Sequence, residues 1–442
     1  MSSPRLADSA HPVRIFLDHG EAYGNFGDDA MLIAAHERIL RSLDGNVEFV
    51  IPLVNGARLP NLSHSVYVES ARNCLPELVG LLMAHKWIRI LASRLPPYSL
   101  ERWIVSTGRN ASHHLGLQSM LGAVVSCDVV YAVGCGNLND VAPHVTLLYR
   151  LLLAKAVRRA CVPLITSSQG VGPLTTHWAR RSIQQLYTLS DHFSLRSPMP
   201  EGQSCGPLKR LSETVPIVGD EAFGLSCAKE SVRHEVFRRN NLKLDDPYLV
   251  LHYRQAAYTG KFTKALPQLV EGLTHLGFKG QLIFVPMSVD THSGCDAEVG
   301  TQLQSHLRGS VKMTVLTGVD DPSLIKSIVW NASGVIALSY HLQVFALSGS
   351  IPFIILTQGR YYGEKSASMG ELVGGTTPVL DLQHTDAYRC VQVFREWFDA
   401  RAIQIKDLER VGRQITAVND YPLHQLIHHI IRHDRPQKKN KY

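Results

Sequence analysis

Residues 13–30 read Val-Arg-Ile-Phe-Leu-Asp-His-Gly-Glu-Ala-Tyr-Gly-Asn-Phe-Gly-Asp-Asp-Ala, and this stretch decides the fold. Val13–Leu17 is a short apolar run of the kind that forms a buried strand. A glycine-bearing turn follows, and Asp28–Leu43 then carries a helical spacing of apolar residues. Val47–Ile51 returns to a strand-like run. Strand, turn, helix and strand in that order bring the two strands side by side and parallel, with the helix crossing one face.

The same alternation continues outward. Strands are expected at Val66–Val68, Val129–Val133, Pro163–Thr166, Phe193–Leu195 and Val215–Val218, with helices at Val145–Arg159 and Thr176–Leu189. The second half repeats it, with strands at Tyr248–Leu251, Gln281–Val285, Met313–Leu316, Gly334–Leu338 and Pro352–Leu356. Its helices are expected at Leu266–Leu276, Asp296–Leu307, Pro322–Trp330 and Asp386–Ala400. Near-continuous apolar strands between helices are the mark of parallel sheets covered on both faces. The expectation is an α/β protein of two Rossmann-like domains facing a central cleft, with mostly parallel sheets. The first domain spans 1–226 and the second 247–415, with the boundary in the polar stretch Cys227–Asp246; a C-terminal helix and basic tail occupy 416–442. Leu75–Ser106, rich in Leu, Ile and Trp with interspersed cations, reads as a helical insertion at 75–106, or else as a peripheral contact with an anionic membrane.

At 442 residues, 45% hydrophobic and 19% charged, the chain has material for two cores and is not a disordered polymer. The net charge of +7 favours anionic partners. It is spread too thinly for nucleic acid, and no zinc-finger spacing or aromatic RNA-binding pattern accompanies it. The eight cysteines are scattered without a CxxC pair, which points to a reducing compartment and to no structural metal. The polar first residues lack the apolar core of a signal peptide. A cytoplasmic protein is expected, peripheral at most to the inner face of a membrane.

Four groups of residues fall at strand ends, where open α/β sheets place their ligands. The turn around Gly24, Asn25, Gly27, Asp28 and Asp29 suits hydroxyl binding or helix capping, because two carboxylates oppose a phosphate at that helix start. Gly134-Cys-Gly136-Asn137 and Gln169-Gly170-Val-Gly172 are glycine turns, too incomplete for a dinucleotide fingerprint. Ser339-Tyr340-His341 opens a helix after a strand. His341 there is either a general acid that gains its proton when an anion binds or a structural histidine. Arg196, Arg254 and Lys365 follow three strands and can grip carboxylate or phosphate.

The order of these motifs resembles the polysaccharide pyruvyl transferase superfamily. Gly24-Asn25-Phe26-Gly27-Asp28-Asp29-Ala30 is similar to its N-x-GD-(D/E)-A signature, and Gly134 to Asp140 to its glycine-rich turn. Gln169–Pro173, Ser194–Ser197, Gly219–Phe223, Tyr340–Leu347 with Gly349–Pro352, and Tyr362 with Lys365 follow the family's order. The chain departs from it at Ser339, where many relatives carry arginine, and at Cys135, where glycine is usual. The resemblance implies a GT-B-like enzyme of polysaccharide or exopolysaccharide biosynthesis. It would move the pyruvyl unit of phosphoenolpyruvate onto two hydroxyls of a glycan or lipid-linked sugar as a ketal, with no cofactor or metal. His341 and Asp29 are then the catalytic pair and Arg254, Lys365, Arg196 and Tyr340 bind the donor. Asn25, Asp28 and Asn137 bind the acceptor. Two other readings stand beside it: a GT-B-type glycosyltransferase using a nucleotide sugar, and a non-catalytic glycan-binding or scaffold protein.

Overall fold

The computed structural model describes residues 11–19, 24–53, 62–69, 122–136, 138–139, 146–199, 208–254, 265–275, 278–288, 295–307 and 312–432. The insertion expected at 75–106 and the candidate Asn137 lie outside them. The described chain holds two six-stranded sheets, parallel throughout.

The first sheet is built from β1 (Val13–Asp18), α1 (Phe26–Ser42), β2 (Val47–Leu53), β3 (Ser65–Glu69), β4 (Val129–Ala132), α2 (Thr146–Arg159), β5 (Leu164–Gln169), α3 (His177–Leu189) and β6 (His192–Leu195). Its strand order is β3-β2-β1-β4-β5-β6. The winding reverses between β1 and β4, so the loops after these two strands diverge and leave a crevice. The expected strand Val215–Val218 is not formed. Pro216 has no N–H to donate, and the chain makes a single bridge, in which Val218 N donates to Leu195 O at 2.8 Å before turning away at Gly219. A short α4 (Lys209–Thr214) precedes it, and a 3₁₀ turn, Glu221–Gly224, follows.

The polar stretch 227–246 contains a helix, α5 (Glu230–Arg239), whose Val236 and Phe237 are buried. Then come β7 (Tyr248–His252), α6 (Ala265–His275), β8 (Gln281–Phe284), α7 (Asp296–Leu307), β9 (Met313–Val315), α8 (Pro322–Trp330), β10 (Gly334–Ala337), α9 (Tyr340–Ser348), β11 (Phe353–Thr357), α10 (Gly359–Leu372), β12 (Val379–Asp381), α11 (Ala387–Asn419) and α12 (Tyr421–Arg432). The order β12-β11-β10-β7-β8-β9 has its own reversal, between β7 and β10. The helix expected at Asp386–Ala400 runs on to Asn419, because Leu408, Val411 and Ile415 continue its buried stripe.

The halves share one core. Leu32, Ala35 and Ile39 of α1 pack in the same buried cluster as Ile325 and Ile328 of α8, Phe345 of α9 and Ile415 of α11. Each such leucine, isoleucine or phenylalanine contributes on the order of 1.5–3 kcal/mol when fully buried. Polar ties reinforce the seam. Lys326, buried on α8, donates to the carbonyls of Phe223 (2.7 Å) and Leu225 (2.8 Å), and burial lowers its pKa to about 8. Arg38 of α1 pairs with Asp420 at 2.6 Å, where the chain bends from α11 into α12. The last helix returns to the first sheet, with Tyr421 edge-on to His192 of β6 at 5.2 Å. Both reversal points thus open onto one cleft.

Candidate active site

The loop after β1 forms one wall. Asn25 is the N-cap of α1, its Oδ1 accepting from Gly27 N at 3.2 Å. The cap is therefore Asn25 and not Asp28; such caps stabilise a helix by about 1 kcal/mol. Asp28 and Asp29 lie buried in the first turn, where the positive end of the helix favours them. This helix start is docked on the other half: Phe26 N donates to Met287 O at 3.0 Å, and Asn25 bridges to Ser288. At Gly27 the approach is so close that a Cβ would collide with Nδ1 of His341. Only glycine lets α1 lie against that ring.

Arg196 occupies the centre. A bulge in β5, with Ser168 held at φ 51°, turns Gln169-Gly170 toward the cleft, and Arg196 N donates to Gln169 O at 3.1 Å. The guanidinium lies across Gly136 and Gly170, where added Cβ atoms would fall 2.9 Å and 2.5 Å from its nitrogens. It stacks on the ring of Tyr340 at 4.0 Å and reaches Asp220 Oδ2 through Nη1 at 3.2 Å. Its buried Nε has no hydrogen-bond partner among the described residues. Lys365 comes from α10 on the opposite side, bonded to Tyr361 Oη, and its Nζ would lie 3.0 Å from a Cβ at Gly136. Gly136, Gly170 and Arg196 from the first half, with Tyr340, Glu364 and Lys365 from the second, line a cavity of about 290 Å³ including its mouth.

His341 opens α9 beside this cavity. Its Nε2 is buried, has no hydrogen-bond partner among the described residues and lies 3.9 Å from Asp220 Oδ2. Burial, and then the charges of Arg196, Lys365, Arg254 and His19, push its pKa well below the ordinary value, so the ring is neutral at physiological pH. A dianion placed among these cations reverses the balance and makes protonation favourable.

Arg254 is engaged differently. Its Nε and Nη2 donate to Oδ1 and Oδ2 of Asp296, both at 2.8 Å. His252 Nε2 donates to Asp296 Oδ2 at 3.2 Å, which leaves His252 Nδ1 to accept from Ser339 N, also at 3.2 Å. One carboxylate thereby fixes Arg254, fixes the tautomer of His252 and, through Ser339, steadies the start of the helix that carries His341.

The cleft brings together His341, Arg196, Tyr340 and Lys365, with Arg254 close enough to bias His341. Asp29 sits on the α1 wall, its Oδ1 3.9 Å from His19 Nε2. Asn25 is a cap and an interdomain bridge. Reading the sequence passed over Asp220, His252, Asp296, His19 and Glu364 as site residues. A signal existed for His252, the last residue of β7, two positions before Arg254 at the same sheet edge. None existed for Asp296, forty-two residues from its arginine.

Comparison with known proteins agrees with this architecture. Residues 25–232 match the family model described as polysaccharide pyruvyl transferase, so the resemblance carried by the motifs holds for the half that includes the α1 loop, Arg196 and Asp220. No curated protein matches the sequence. Among solved structures, a putative UDP-N-acetylglucosamine 2-epimerase from Listeria monocytogenes superposes with a TM-score of 0.54 at 11% identity, covering 96% of this chain and 98% of that one. The UDP-GlcNAc 2-epimerase from Neisseria meningitidis gives 0.51 at 10% identity, with coverage of 95% and 100%. An Anabaena protein crystallised with UDP and glucose gives 0.52 at 12% identity, with coverage of 94% and 99%. At such identities the likeness is one of fold: two Rossmann-like units in the GT-B arrangement.

Proposed function

We propose that the protein transfers the pyruvyl unit of phosphoenolpyruvate to a sugar of a polysaccharide or glycan precursor, forming a ketal across two hydroxyls. The observation that carries this reading is the small cavity where Arg196 and Lys365 converge beside the unpartnered, neutral His341. Two cations suit the carboxylate and phosphate of a small donor.

In this mechanism, phosphoenolpyruvate raises the proton affinity of His341, which then protonates the methylene carbon. Positive charge develops at the neighbouring carbon, a sugar hydroxyl attacks there, and phosphate departs toward Arg196 and Lys365. A second hydroxyl closes the ketal. Tyr340 braces Arg196 by stacking, and Arg254 acts on His341 by its charge while Asp296 holds it. Asn25, Asp28 and Asp29 form the wall against which the sugar lies. The chemistry calls for no cofactor, and the acceptor is a glycan or lipid-linked sugar. The sequence expectation placed the donor in the second half; in this reading both halves hold it, and the docked α1 excludes water from the intermediate.

The test is release of phosphate from phosphoenolpyruvate with methyl glycosides of glucose, galactose and mannose as acceptors. His341→Ala is expected to lower turnover by about 10²–10⁴-fold with an unchanged unfolding midpoint. Full activity of this variant refutes the assignment.

A further inference from the structure

Among the described residues Glu364 is the one carboxylate in the wall of the cation-lined cavity, and nothing in the mechanism above uses it. It lies on α10 next to Lys365. Its Oε1 accepts from Arg360 Nε at 3.0 Å, a pairing at i and i+4 that orients the carboxyl group. Its Oε2 is buried and has no hydrogen-bond partner among the described residues. A buried acceptor left unsatisfied costs stability, because it has given up water and gained no donor in return. It persists most readily where a ligand supplies the missing donor. A carboxylate oxygen repels a phosphate or carboxylate, so the group it awaits is neutral and carries a proton to donate. A sugar hydroxyl has that chemistry.

We propose that Glu364 Oε2 receives the attacking hydroxyl of the acceptor sugar and takes its proton. The inference rests on the pyruvyl-transfer reading and adds the base to it. The sugar O–H bond breaks, its proton passes to Glu364 Oε2, and the sugar oxygen forms a bond to the second carbon of the enolpyruvyl unit. The electrons of its double bond take the proton of His341 at the methylene carbon. His341 ends neutral and Glu364 protonated. As the second hydroxyl closes the ketal, the carbon–oxygen bond to phosphate breaks and phosphate leaves with the electron pair. The second hydroxyl's proton goes to that phosphate, and Glu364 returns its own to solvent. Asp29, the other carboxylate near the cleft, lies on the α1 wall next to His19 and does not line the cavity. It is placed to hold the sugar rather than to meet the reacting oxygen.

The experiment compares wild type, Glu364→Gln and Asp29→Asn. It measures binding of phosphoenolpyruvate by calorimetry and phosphate release with the same methyl glycosides and with water alone as acceptor. Glu364→Gln is expected to bind phosphoenolpyruvate as tightly as wild type or several-fold tighter, because a negative charge has left the cavity. Its turnover with sugar and with water should fall by about 10²-fold or more. Asp29→Asn should raise the KM for the glycoside and leave turnover with water unchanged. Turnover of Glu364→Gln within a few-fold of wild type overturns the proposal, as does loss of phosphoenolpyruvate binding, which would mark Glu364 as a support for Lys365. Wild type that binds no phosphoenolpyruvate would refute the pyruvyl-transfer reading itself, a result separate from either.

Discussion

Two buried arginine–aspartate pairs, one from each half, supply charges that act on His341, and they are built differently. Arg254 gives Asp296 both arms of its guanidinium at 2.8 Å, and Asp296 also receives hydrogen bonds from His252 and from Met287 N. Burial alone would raise the pKa of Asp296, but these donors outweigh it and hold the carboxyl far below the usual range. Arg196 reaches Asp220 with a single nitrogen at 3.2 Å and keeps Nε unpartnered. There burial wins, and the Asp220 carboxyl is pushed up despite the arginine. The saturated pair is structural: it locks geometry around His341. The unsaturated pair has hydrogen-bonding capacity left over among the described residues, and that capacity is what the proposed donor would use.

The largest effect expected from this contrast is on stability. Asp296→Asn leaves Arg254 and His252 without their anchor and should cost about 3–5 kcal/mol in urea unfolding, the usual cost of breaking a buried ion pair. Asp220→Asn should cost clearly less, because its charged form is already disfavoured. Equal losses, or the reverse order, would break the comparison.

A third buried group sharpens it at the far end. His192 on β6 lies under α12 with its Nε2 unpartnered, and burial, with the nearby charge of His429, lowers its pKa to about 4. The folded protein therefore resists a proton that the unfolded chain accepts near pH 6.5. Stability is fully present above that pH and declines as pH falls from 6.5 toward 4, by at most roughly 3 kcal/mol. His192→Phe should flatten the decline in unfolding midpoints measured between pH 7 and 5. An unchanged slope would show that burial at this site is not what costs the proton.

Every described strand except β12 was legible because apolar, β-branched runs between helical spacings have few other meanings; the order in which the strands pair, and with it the two reversal points, comes only from the tertiary fold. The site was legible in outline, since Arg196, Arg254, Tyr340, His341 and Lys365 all follow strands. Their roles were not. Whether an arginine is saturated depends on a carboxylate brought from another element, and Asp296 reaches Arg254 only through the tertiary fold. Asn25 and Asp28 illustrate the same limit: both are good capping types at one helix start, and only the backbone geometry gives the cap to Asn25. Val215–Val218 looked like a strand by composition, yet Pro216 and the turn at Gly219 leave it a single bridge. Glu364 carried no local signal, because a glutamate at i+4 from an arginine reads as a solvated helix face until the cavity beside it is seen.

The most direct test is a thermal-shift titration of the wild-type protein and Lys365→Ala with phosphoenolpyruvate. At 100 times its dissociation constant the ligand should stabilise wild type by about 2.7 kcal/mol, and the variant should lose most of that shift. A wild-type protein indifferent to phosphoenolpyruvate but stabilised by UDP-glucose would contradict the account and move the chain to the nucleotide-sugar reading.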